Sequence, residues 1–125
     1  MPDKLEHLKS ARRNYDISKL LLDNKHKCTE WVVITLFYSA VHFLEAYLAS
    51  LPTPLHPGNH SERNTLVAHY FSQNCYRKYA LLKDMSVGAR YYCKDFKQGY
   101  IDSSILPAFE FFKKQINYRL GTQKL

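Results

Sequence analysis

One short stretch, HSERNTLVAH, holds three side chains that could grip a phosphate and move protons: Arg63, Asn64 and His69, in the pattern R-N-x4-H. An imidazole titrates near neutrality, so it can take a proton from a ribose 2′-hydroxyl or return one to a departing 5′-oxygen. An arginine fork matches phosphate oxygens and the charge that grows on them during attack. An amide beside that arginine can orient it. These types suit RNA cleavage without metal or other cofactor, because the 2′-hydroxyl supplies the nucleophile.

Spacing alone says little. About 0.9 matches to R-x4-6-H are expected by chance in this composition, and about 0.12 once Asn, Asp or His must follow the arginine. The location adds weight, since the motif opens a predicted helix, where backbone N–H groups favour phosphate. Six residues rise about 9 Å and leave Arg63 and His69 roughly 120° apart on an ideal helix. One copy therefore makes no tight site, whereas two copies about a twofold axis would each bring an Arg and a His to a shared cleft. His60 reads equally as a second phosphate contact or as part of the helix start. Arg90 and Tyr91 could bind RNA through charge and stacking, though Tyr79, Tyr91 and Tyr92 at helical spacing also read as core. Lys25-His26-Lys27 and Lys113-Lys114 read as solvated faces.

These residues need elements to hold them. Leu5, Leu8, Ala11, Tyr15, Ser18 and Leu22 recur at helical steps and predict an amphipathic first helix closed by Asp23-Asn24-Lys25. Thr29 is placed to cap a second, WVVITLFYSAVHFLEAYLA, apolar on most sides and hence central. Thr35, Ser39, His42 and Glu45 draw a polar stripe down it. His42 and Glu45 fit either a buried hydrogen-bonded pair or a supporting role at the site. The Pro-rich LPTPLHPG forms a surface connection. Asn59 with Glu62 resembles a capping box for the third helix, whose apolar set is Leu66, Val67, Tyr70 and Phe71, and Gln73-Asn74 is a candidate break. Tyr76 to Tyr92 predicts a fourth helix with Tyr79, Leu82, Met85 and Ala89 inward and a kink at Gly88. Ser103 or Ser104 would cap the last, with Pro107 in its first turn, Phe109, Phe112 and Ile116 on one face, and Gly121 as its stop. The expectation is an all-α, up-and-down bundle of four main helices plus a short extra one, a single domain over residues 1–125.

The segment FYSAVHFLEAYLA, then His60-x2-Arg63-Asn64-x4-His69, then Tyr79-x2-Leu82-x3-Ser86-x2-Ala89-Arg90-Tyr91 resembles the HEPN family, the small helical domains named for higher eukaryotes and prokaryotes nucleotide-binding. The resemblance covers residues 28 to 92. It implies a homodimeric, metal-independent endoribonuclease with Arg63 and His69 as the catalytic pair and Asn64 as helper, forming 2′,3′-cyclic phosphate ends. It also implies a toxin or defence role and an antitoxin or nucleotidyltransferase partner. One branch ends the motif H-x-Y, with that tyrosine as the target of nucleotide transfer. Here Tyr70 follows His69 directly, a departure from that pattern. Other members lack nuclease activity, so a non-catalytic nucleotide- or RNA-binding or partner-interaction module stands beside the enzyme.

Composition agrees with either. The 125 residues are 46% hydrophobic and 23% charged with four Gly and five Pro, which excludes disorder and repeat arrays. Eighteen Lys and Arg against eleven Asp and Glu leave +7, a charge that favours polyanions. Cys28, Cys75 and Cys93 lack metal-ligand spacing and read as reduced thiols of a cytoplasmic protein. The N-terminus carries no secretory or lipidation pattern. The apolar run from Trp31 to Leu51 is long enough to span a bilayer, but its polar stripe favours a buried helix over a membrane one.

Overall fold

The computed structural model describes residues 2–23, 28–92 and 94–121. Lys25-His26-Lys27 and Cys93 lie outside the described residues, which are all-helical apart from turns and connections. The helices are α1 (Lys4–Asp23), α2 (Thr29–Ala49), α3 (His60–Tyr70), α4 (Gln73–Tyr91), the single turn α5 (Gln98–Tyr100) and α6 (Leu106–Leu120). A π turn over Ile101–Ile105 joins α5 to α6.

Contacts between helices give the direction of each. His7 meets His42 and Ala11 meets Ser39, so α1 and α2 run antiparallel. Thr29 meets Phe96 beyond the end of α4, Tyr38 meets Arg90, and Tyr47 meets Phe71 just before α4 begins, so α2 and α4 also oppose each other. Tyr100 meets Met85 and Phe112 meets Tyr79, which reverses α6 against α4. The four long helices thus alternate up and down, with the short α3 laid beside α2 and α4.

The core is built around α2, as its apolar circumference requires. Leu36, Phe37, Phe43, Leu44 and Leu48 are fully buried and pack with Tyr79 and Leu82 of α4 and Phe109, Phe112 and Ile116 of α6. Burying each of these large side chains contributes about 1.5–3 kcal/mol. α2 has the length and hydropathy of a membrane span, yet 72% of its most apolar window is buried inside the bundle.

Local rules explain most helix ends, and three of them differ from expectation. Asp3 and Glu6 cap α1 reciprocally: Glu6 N–H donates to Asp3 Oδ1 at 2.8 Å and Asp3 N–H to Glu6 Oε1 at 3.3 Å. Thr29 does not cap α2; it is the helix's first residue, and its Oγ1 accepts the Phe96 N–H at 3.3 Å. The break before α4 falls at Phe71 and Ser72 instead of Gln73-Asn74, because the Ser72 hydroxyl accepts the Cys75 N–H. Neither Ser103 nor Ser104 caps the last helix. Both sit in the π turn, where the widened ladder accommodates Pro107, which has no N–H and crowds the carbonyl four residues back.

Other expectations hold in part. Asn59 Oδ1 accepts the Glu62 N–H at 2.8 Å, but the Glu62 carboxylate turns to Gly58 N–H and leaves the box half made. α4 continues through Gly88, and Gly121 ends α6 in the left-handed region at φ 72°. On α1 the buried stripe is His7, Leu8, Ala11 and Ser18, with Leu5 exposed. Lys113 is not solvated: its ammonium lies 4.3 Å from the Tyr15 ring centroid and 3.2 Å from Glu110.

Candidate functional site

α3 lies against α2 and α4 through His60, Arg63, Asn64 and Val67, which share one flank at helical spacing. Val67 is fully buried and locks that flank inward. Arg63 is thereby aimed at α2, where its Nε donates to Glu45 Oε1 at 2.7 Å, with only 18% of the arginine side chain and 7% of the carboxylate's exposed. A charge-assisted bond of this length fixes the plane of the guanidinium. Arg63 Nη1 stands 3.3 Å from His60 Nδ1. An arginine N–H can only donate, so Nδ1 accepts and the His60 proton sits on Nε2.

The surroundings disfavour the charged form of His60. Burial lowers its pKa from the ordinary value, and the charges of Arg63, Arg90 and Lys83 push it the same way. Its ring leans on Phe37 with centroids 5.5 Å apart. On α4, Tyr79, Lys83, Ser86 and Arg90 fall on one stripe by their spacing. Arg90 donates from Nη1 to the Tyr38 hydroxyl at 2.8 Å and from Nε to the Ser86 carbonyl at 3.3 Å. Its guanidinium lies 5.1 Å from the Tyr91 ring centroid. Tyr91 is 69% exposed and Tyr92 more so, which removes both from the core where helical spacing had allowed them; Tyr79 is fully buried there. Burial raises the Tyr79 hydroxyl's pKa strongly.

The expected catalytic set is only partly assembled in one copy. Arg63 and Glu45 are brought together, with His60 beside them. Asn64 is next to Arg63 in sequence but does not orient it: Asn64 Oδ1 is buried without a hydrogen-bond partner, and Glu45 holds the guanidinium instead. His69 occupies the last turn of α3, exposed, with its ring edge-to-face against Tyr70 at 4.7 Å. By helical register it shares the outer flank with Ser61, Glu62 and Thr65. Those three residues, with Leu55, His56, Pro57 and Leu66, line a cleft of about 380 Å³ on the side of α3 away from Arg63.

The α2 stripe resolves into separate contacts. Thr35 Oγ1 turns back to the Trp31 carbonyl at 2.8 Å, and Ser39 Oγ donates to the Ala11 carbonyl at 2.7 Å. His42 Nδ1 and His7 Nδ1 are 3.1 Å apart, so one donates and the other accepts, in opposite tautomers. Burial lowers the pKa of both. Sequence reasoning missed His7, Tyr38 and Lys83. His7 breaks the expected α1 pattern by one position, and Lys83 falls four residues after Tyr79 and seven before Arg90, so both left a signal in register.

Among the described residues no set of His, Cys, Asp or Glu side chains converges to hold a metal ion. The Cys75 thiol is pushed up to about 11 by burial, which suits packing and not nucleophilic attack. Comparison with protein-family models returns no match for this chain, and comparison with curated proteins returns none either.

Proposed function

We propose that the chain is a HEPN-type, metal-independent endoribonuclease that works as a homodimer. The observation that carries this reading is the grip on Arg63: a buried carboxylate holds Nε, a neutral imidazole takes Nη1, and Nη2 has no protein partner among the described residues. An arginine fixed in this way can meet a phosphate without losing further side-chain freedom. His69 is exposed at the far end of the same helix, where a second copy can approach it.

In the proposed reaction one His69 takes the 2′-hydroxyl proton, O2′ attacks phosphorus, and the bond to the 5′-oxygen breaks. The His69 of the other copy protonates that oxygen. Arg63 stabilises the charge on the non-bridging oxygens, leaving a 2′,3′-cyclic phosphate and a 5′-hydroxyl. A nuclease of this kind endangers its host, so a toxin or defence role with an antitoxin or nucleotidyltransferase partner accompanies the proposal.

The test incubates purified wild type, Arg63→Lys and His69→Ala with end-labelled single-stranded RNA in EDTA, with circular dichroism as the folding control. The expected result is cleavage by wild type and a loss of about 10²–10⁴-fold in His69→Ala. Equal cleavage by all three would sink the assignment.

A second reading, a non-catalytic RNA- or nucleotide-binding module, is favoured by the split within one copy, where Arg63 faces inward to Glu45 and His69 outward. RNA binding that weakens with salt, with no scission and no effect of His69→Ala, would select it.

A further inference from the structure

The seam between α2, α3 and α4 is more than a holder for Arg63. α4 lines it with Lys83 and Arg90, α3 with His60, and α2 with Tyr38, all half-buried and so reachable from solvent. Two fully buried polar atoms on the same α4 stripe, Tyr79 Oη and Ser86 Oγ, have no hydrogen-bond partner. Unsatisfied groups of this kind are uncommon and mark places where a polar ligand or water completes the structure. Two carboxylates oppose the three cations Arg63, Lys83 and Arg90. Glu45 is committed to Arg63, and Asp84 stands 3.5 Å from Lys83 at the exposed rim, where such a pair is weak.

We propose that His60, Lys83 and Arg90, walled by Tyr38, form a subsite for a phosphodiester of single-stranded nucleic acid next to Arg63, and that His60 takes up a proton as the phosphate enters. The proton follows from the charges that face His60: Arg63 on its own helix, Lys83 and Arg90 on α4, and Glu45 on α2, which Arg63 already engages. Burial first, and then the three cations, disfavour the imidazolium while the seam is empty. An anion among them offsets that repulsion, and the ring then donates to the phosphate instead of accepting from Arg63. Tyr91, exposed beside Arg90, offers a face for the neighbouring base. The site rests on the nuclease reading only for the identity of its ligand.

The test is calorimetric titration of the full chain with a short single-stranded oligodeoxynucleotide. It lacks the 2′-hydroxyl and cannot be cut by this chemistry, and its diesters do not titrate near neutrality. Measurements at pH 6.5 in two buffers of different ionisation enthalpy are expected to give uptake of up to about one proton per bound site, and affinity that rises as pH falls from about 7.5 to about 6. His60→Asn should abolish the uptake. Lys83→Gln, at the rim and harmless to the core, should weaken binding about three- to tenfold and flatten the salt dependence. Binding without proton uptake, uptake that survives His60→Asn, or unchanged affinity in Lys83→Gln would each overturn the proposal. Cleavage of RNA by a chain that fails these titrations would leave the nuclease standing and remove the subsite. Proton-linked binding by a chain that never cleaves would do the reverse.

Discussion

His42 and Glu45 stand one turn apart on α2 and both leave the apolar core to meet another helix, yet they make opposite kinds of contact. His42 meets His7 of α1 as two neutral rings whose tautomers match, and Glu45 meets Arg63 of α3 as a full ion pair. The first needs one Nδ1 to stay free of a proton, so it is lost when both rings are charged. The second cannot shed its charge, because a guanidinium does not deprotonate in a protein. The α1/α2 seam is thus a contact that acid can break, whereas the α2/α3 seam is an anchor whose loss leaves a charge without a partner. Function is proposed at the second because it holds a cation still where an anion can reach it.

The largest effect should come from removing one side of the anchor. Glu45→Ala leaves Arg63 facing an apolar wall and should cost about 3 kcal/mol, the low end for a buried pair since the guanidinium reaches water. Urea denaturation measures it. The double variant Glu45→Ala, Arg63→Met should recover most of that loss, and a cycle showing no coupling would mean that the pair is passive.

Acid should act on the other seam. Folding holds the pKa of His7, His42 and His60 below their unfolded values, so the unfolded chain binds more protons as pH falls. Stability should be level above about pH 6.5 and decline as pH drops below it. In His7→Phe, His42→Leu that decline should shrink while stability at pH 7.5 stays within about 1 kcal/mol of wild type, because both polar partners go together. Thermal melts across that pH range decide the matter, and an unaltered slope would show that the pair stays out of the acid response.

The smallest effect belongs to Ser39, on the same seam but neutral at every pH. Ser39→Ala removes one hydrogen bond to the Ala11 carbonyl and should cost about 1 kcal/mol, without pH dependence, by the same melts.

Much of this arrangement is legible in the amino-acid sequence. Helical spacing places Tyr79, Leu82, Phe109 and Phe112 in the core, and the α2 stripe of Thr35, Ser39, His42 and Glu45 is visible as polar positions on an apolar helix. Its partners are not visible. Thr35 satisfies itself on its own helix, and Ser39, His42 and Glu45 meet Ala11, His7 and Arg63, pairings between helices that no spacing rule gives. Asn64 illustrates the limit: adjacency to Arg63 made it the natural orienting group, but neighbours on a helix point about 100° apart, and the residue that reaches Arg63 is eighteen positions away.

Periodicity, capping residues and net charge therefore specify an all-helical chain with a central apolar α2, a cationic excess and an Arg/His motif opening α3, because each depends on neighbours within a turn or on a simple sum. Which flank of α3 is buried, and so that Arg63 turns in to Glu45 while His69 turns out, depends on Val67 docking against helices distant in sequence. The same packing sets Arg90 against Tyr38 of α2 and His60 against Phe37, and leaves Tyr91 in solvent. Those outcomes belong to tertiary structure, since a side chain's partner is chosen by which helices share a core and at what register, and local spacing carries neither.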